Sequence, residues 1–195
     1  MLKETICETF KHNGRSSKRT DLLHKLPLNI LKKNHPHLRW EVEYRVPDGY
    51  NKSFTLDIAG VNARGDVEYA CLVKMVNNNF AQNANNYANT TSAEWDRLAF
   101  SPNPPKTITF LNFYPEESPY FKNGGQLTRW DKVANTKADL NKVLTQKGAW
   151  KNIKSLEHTV WFRYNKEMVS KKQDLGLAVS IPNEKGQFNE LVKIL

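Results

Sequence analysis

Three consecutive stretches of this chain alternate apolar and polar residues with a period of two, and short turns join them. The first, Arg39 to Val46, sets Trp40, Val42, Tyr44 and Val46 on one side and Arg39, Glu41, Glu43 and Arg45 on the other. That period belongs to a strand with one buried face. Pro47-Asp48-Gly49 is a turn signal. Ser53 to Gly60 alternates again, with Phe54, Leu56 and Ile58 inward and Ser53, Thr55 and Asp57 outward. Asn62 to Asp66 makes a second turn. Val67 to Val76 then places Val67, Tyr69, Cys71, Val73 and Met75 inward. Three strands joined so tightly are confined to an antiparallel meander.

The flanking segments follow the helical period. Residues 1–12 suit a short helix. Residues 20–33 suit a second, opened by Thr20 as N-cap and kinked or cut by Pro27. Residues 80–100, with Phe80, Tyr87, Trp95, Leu98 and Phe100, predict a long helix stopped by Pro102, Pro104 and Pro105. The apolar run Thr107 to Phe113 predicts a fourth strand. A strand reached through a long helix is normally parallel to its neighbour. Pro115 to Trp130 reads as an aromatic loop, 136–147 as a charged helix and His158 to Tyr164 as a fifth strand. Residues 166–195 suggest a short helix and a strand at Gly176 to Ile181. The expected class is α/β, a mixed sheet flanked by helices, in one domain over 1–195.

Composition narrows the partners. Lys and Arg number 29 against 20 Asp and Glu, a net charge of +9 that favours a polyanion. No run of 18 apolar residues predicts a membrane span, and the first residues do not resemble a signal peptide. Cys7 and Cys71 form no CxxC, so a reducing cytosol, that of a prokaryotic or virus-infected cell, is the expected compartment. No GxSxG, P-loop or GxGxxG occurs, which argues against serine hydrolases, NTPases and dinucleotide enzymes.

Counting back from the turns places Val46 opposite Phe54, Glu43 opposite Asp57 and Asp57 opposite Leu72. Such partners share a face with Cβ atoms about 5 Å apart. Lys74 lies two residues further along the same face. A row of this kind suits Mg²⁺, which takes one or two carboxylates with waters and a substrate phosphate. Asp57 and Glu43 are the candidate ligands, and Lys74 the ammonium that orients water or offsets developing charge.

The segment WEVEYRVPDGYNKSFTLDIAGVNARGDVEYACLVKMV resembles the catalytic hairpin of the PD-(D/E)xK nucleases. Thr55-Leu56-Asp57 fits the family's Asp position, and Lys74 its lysine. NNNFAQNANNYANTTSAEWDRL resembles the helix that follows, and ITFLNFYPEESPYF a restriction-enzyme fourth strand and loop. The resemblance spans roughly residues 38–165. It implies a restriction-endonuclease-like αβββαβ core. It also implies a type II, Mg²⁺-dependent endonuclease cutting double-stranded DNA as a homodimer at a short palindrome. The chain departs from the family at Leu72, where the family acid would stand. Glu43 could substitute, the protein could be a DNA-binding relative that does not cleave, or Leu72 could replace a Glu. A structure-specific or repair nuclease is a further alternative.

Other candidates carry plainer readings. Asn77, Asn79, Gln82, Asn83, Asn86 and Tyr87 could contact DNA, since Asn and Gln pair bidentately with adenine, or could simply form a polar helix face. Asn85 shares that reading. Glu94 resembles a helical acid of restriction enzymes, but 20 residues of helix would carry it about 30 Å from Lys74. Glu4 and Glu8 read as surface charge, His35-Pro36-His37 as a loop, and Trp130, Trp150 and Trp161 as core.

Overall fold

A computed structural model of the chain describes residues 2–12, 17–50, 52–122, 125–147 and 156–195. The elements run α1 (Leu2–Phe10), α2 (Ser17–Asn34), β1 (Arg39–Pro47), β2 (Ser53–Val61), β3 (Val67–Met75), α3 (Phe80–Ala99), β4 (Thr107–Pro115), β5 (Glu117–Lys122), β6 (Gln126–Lys132), α4 (Lys137–Lys147), β7 (His158–Tyr164), β8 (Val179–Ser180) and α5 (Glu184–Ile194). A mixed sheet has the order β1-β2-β3-β4-β7-β8, and β5-β6 form a separate hairpin. The fold is α/β, with helices against both faces of the sheet. The meander is antiparallel, with Val46 opposite Phe54 and Ile58 opposite Cys71. β3, β4 and β7 are parallel, as the crossover through α3 requires.

Alternation along the strands divides the core. Cys71, Val73, Leu111 and Phe113 pack with α1, α2 and α5 through Leu2, Ile6, Leu26, Leu31 and Leu191. Ala70, Leu72 and Phe110 point the other way, onto Leu98 of α3. The outward face of β3 is therefore covered by a helix, as both faces of a parallel crossover sheet normally are.

Several local expectations change. Pro27 lies inside an unbroken α2, and Thr20 lies within that helix instead of capping it. The expected loop after β4 is the β5-β6 hairpin. The expected C-terminal strand shrinks to Val179–Ser180, and the main helix of this segment, α5, follows it at Glu184–Ile194. Val42 is exposed. Phe54, Leu56 and Ile58 do not share one core: Phe54 and Leu56 pack toward α3 and Ile58 toward α2. The change of side falls at Asp57. Across from it Glu43 takes a left-handed φ of 52° and drops out of the ladder, although Val42↔Ile58 and Tyr44↔Leu56 pair on either side. A left-handed non-glycine residue turns the strand path sharply, so the hairpin tip swings over the end of α3. Trp130 and Trp161 are partly buried against the core, and Trp150 lies outside the described residues.

Asp48 anchors that swung tip. Its buried carboxylate accepts the N–H groups of Tyr50 and Lys52 at 2.9 and 2.8 Å, and Arg97 Nε of α3 lies 3.0 Å away. Burial alone would raise its pKa, but those N–H groups and the guanidinium outweigh it and hold the carboxyl below its usual range. A depressed acid contributes stability above its unfolded value, and that stability is lost as pH falls through the folded value. Asp48→Asn is expected to lower the melting temperature at neutral pH. The gap to the parent should narrow as melts are repeated into the acid range.

Candidate active site

β2 and β3 pair as far as Ile58↔Cys71, and the next residues stand at the point where the strands part. Asp57 fills the gap. Its Oδ2 accepts the Val73 N–H at 2.7 Å, replacing a ladder bond, and its Oδ1 lies 3.6 Å from His24 Nε2 on α2. His24 is a polar side chain buried beside Leu23, Leu26 and Ile30 on its helix. Asp57 keeps 27% of its side-chain surface exposed, enough for a ligand to reach it.

Lys74 reaches under α3, where its Nζ lies 2.6 Å from Glu94 Oε1. The expected separation of these residues assumed a continuous helix. Residues 76–79 are not helical, and Asn79 at φ 53° reverses the chain before α3 begins. The helix therefore returns over the sheet, and 20 residues of sequence close to a direct contact. Glu94 is 13% exposed, and its Oε2 is buried without a hydrogen-bond partner among the described residues. Burial raises the Glu94 pKa, Lys74 opposes that rise, and the nearby charge of Asp57 adds to it. A buried carboxylate with an idle oxygen and an acidic neighbour is suited to a cation.

The remaining candidates are dispersed. Leu72 is 1% exposed in the cluster with Leu56, Ala70, Leu98 and Phe110, so it is a core residue. Glu43 is exposed, and among the described residues no hydrogen bond or ion pair ties it to Asp57 or Lys74. Asn79 pins the β5-β6 hairpin, donating to the Phe121 carbonyl at 3.1 Å and accepting its N–H at 2.9 Å. Asn83 donates to the Asn79 carbonyl. These two are structural. Gln82 and Asn86 are exposed on α3. Asn77 sits at the strand ends, where its carbonyl accepts from Tyr164 Oη at 3.0 Å and its own Oδ1 is buried without a partner among the described residues. Tyr87 stacks on Phe80. Glu8 pairs with Lys11, and His35 contacts the Leu195 carbonyl.

Among the described residues no three His, Cys, Asp or Glu side chains are grouped to hold a metal by themselves. Mg²⁺ does not require three, because waters and substrate oxygens complete its shell. Asp57 and Glu94, two hard carboxylates with an unused buried oxygen, fit that demand. Glu94, named from the sequence and set aside there for its distance from Lys74, is better placed than Glu43 to be a second acid, and it is the one carboxylate in the stripe Tyr87, Thr91, Glu94, Leu98 at helical spacing. His24 was not singled out from the sequence. The fold and site define an α/β protein with a carboxylate and ammonium cluster at the carboxyl end of a parallel strand, where ligands of open α/β sheets bind. Comparison with protein-family models, with curated proteins and with solved structures found no match to this chain. Among the described residues no helix is long and apolar enough to cross a membrane.

Proposed function

We propose that the chain is a Mg²⁺-dependent DNA endonuclease on a restriction-endonuclease-like αβββαβ core. The observation that carries this reading is the Lys74–Glu94 pair directly after Val73, whose N–H Asp57 accepts where β2 and β3 part, with one Glu94 oxygen left idle. Asp57 and Glu94 would hold the metal. When bound, the ion supplies Lewis acidity toward the phosphate and lowers the pKa of its water. Val73 N–H fixes the Asp57 carboxylate, and His24 supports its other oxygen. Lys74 holds Glu94 in place and presents an ammonium that can orient the attacking water or offset charge on the phosphate. The net charge of +9 suits a DNA partner. A homodimer acting on a palindrome belongs to the same reading, since two-fold protein symmetry matches two-fold site symmetry.

The reading is tested with plasmid DNA and Mg²⁺, where discrete fragments are expected. A second measurement needs no turnover. Protons compete with metal for a carboxylate of raised pKa, so Mg²⁺ binding followed by calorimetry should tighten as pH rises through the elevated Glu94 value. Glu94→Gln should weaken binding and remove that pH dependence. Intact plasmid under all metal conditions, with DNA still bound, would instead favour a binding protein on the same fold.

A further inference from the structure

The β1-β2 tip, the turn before β3 and the segment after α3 enclose a cleft of about 130 Å³. Tyr44, Val67 and Pro105 give it apolar walls, and Arg45, Asp66, Ser101 and Asn103 bring polar groups to it. A water occupies about 30 Å³ of liquid, so the cleft has room for a small ring. Ser101 is 8% exposed, and its Oγ is buried without a hydrogen-bond partner among the described residues. A buried hydroxyl left unpaired costs stability unless a ligand completes it. Asp57, Lys74 and Glu94 do not line this cleft.

Two large aromatics stand close by. Phe100, directly before Ser101, is 73% exposed, and Tyr50 is 64% exposed. The hairpin tip fixes the backbone of Phe100 and leaves its ring to water. The Gly49 N–H donates to the Arg97 carbonyl at 3.1 Å, and a Cβ added at Gly49 would fall 2.6 Å from the Phe100 carbonyl oxygen. Arg45 is exposed, as are Arg64 and Lys106, the neighbours of the lining residues Gly65 and Pro105. Asp66 is the one acid in the lining. An exposed aromatic ring, unsatisfied hydrogen-bonding groups and a basic rim are what an unstacked nucleobase and its backbone require.

We infer that the cleft binds one unstacked base of a nucleic-acid strand. Phe100 is its stacking surface, Ser101 and Asn103 meet the base edge, and Arg45 and Arg64 face the backbone phosphates. This deepens the nuclease reading and rests on its nucleic-acid partner. Glu94 lies six residues before Phe100, about 9 Å along the helix axis, so the cleft is a neighbour of the candidate active site.

The test measures binding of a fluorescent single-stranded DNA oligomer, and of an abasic strand of the same length, to the full chain without Mg²⁺. Phe100→Ala should weaken binding of the base-bearing strand about 10-fold and Phe100→Trp should restore it, since stacking depends on an aromatic face. Ser101→Ala should weaken it about 5-fold, as loss of one hydrogen bond does. The abasic strand should bind less tightly and respond to neither substitution. Neither Phe100→Ala nor Ser101→Ala should melt below the parent, because one ring is exposed and the other hydroxyl has no partner to lose. Parent-like binding by Phe100→Ala, or an equal loss with the abasic strand, overturns the inference. Parent-like binding by Ser101→Ala also overturns it, since the base would then stack at the rim without entering the cleft. Deoxyadenosine monophosphate is the competitor that separates the sources: it should bind far more weakly than the strand, and equal affinity would assign the cleft to a free nucleotide instead. Failure of the nuclease reading is distinct, because plasmid left intact with Mg²⁺ does not alter these binding results.

Discussion

Asp57→Asn is expected to lower Mg²⁺-dependent plasmid cleavage by about 10³-fold, since metal stabilisation of the reacting phosphate is worth several kcal/mol. The substitution is chosen because the Asn carbonyl oxygen can still accept the Val73 N–H that Asp57 Oδ2 takes at 2.7 Å. The strand junction is thereby kept while the negative charge is lost. Melting temperature without metal should stay near that of the parent, and Mg²⁺ should no longer raise it. Cleavage at the parent rate by a folded Asp57→Asn protein would remove Asp57 from the reaction and the proposed function with it.

Leu72→Glu is expected to destabilise the fold by about 3 to 5 kcal/mol and to restore nothing, as placing an uncompensated charge in a packed interior does. Leu72 is 1% exposed between apolar neighbours on β2, β3, β4 and α3. A carboxylate there would lose its hydration, and the nearby cation Lys74 is already engaged by Glu94 at 2.6 Å. Urea denaturation gives the stability change, and plasmid cleavage gives the activity. A variant as stable as the parent and more active would return the missing acid to position 72. On the proposed reading, Glu94 would supply the acid from the crossover helix, which leaves position 72 to the core.

The meander strands with their register, β4, β7 and the crossover were legible because they depend on short-range pattern, while β5 and β6 were read as a loop. Period-two alternation and tight turns set which residues oppose each other, and counting from the turns placed Asp57 opposite Leu72, in line with the observed Ile58↔Cys71 pair. Asp57 and Lys74 were found in the same way. What the local pattern misjudged was the face. Alternation marked the side of β3 bearing Leu72 and Lys74 as open, and α3 covers it.

Sequence by itself determined the meander, the parallel fourth strand, the basic charge and the Asp57 and Lys74 positions. Those follow from periodicity, turn chemistry and counting. Only the tertiary structure decided the rest of the site. Glu94 reaches Lys74 because residues 76–79 reverse the chain, and His24 reaches Asp57 because α2 packs against β2. Glu43 was lost to the site because a left-handed φ at one residue redirected the strand that carried it. Contacts between elements distant in sequence depend on how helices lie across a sheet, and no local period encodes that angle.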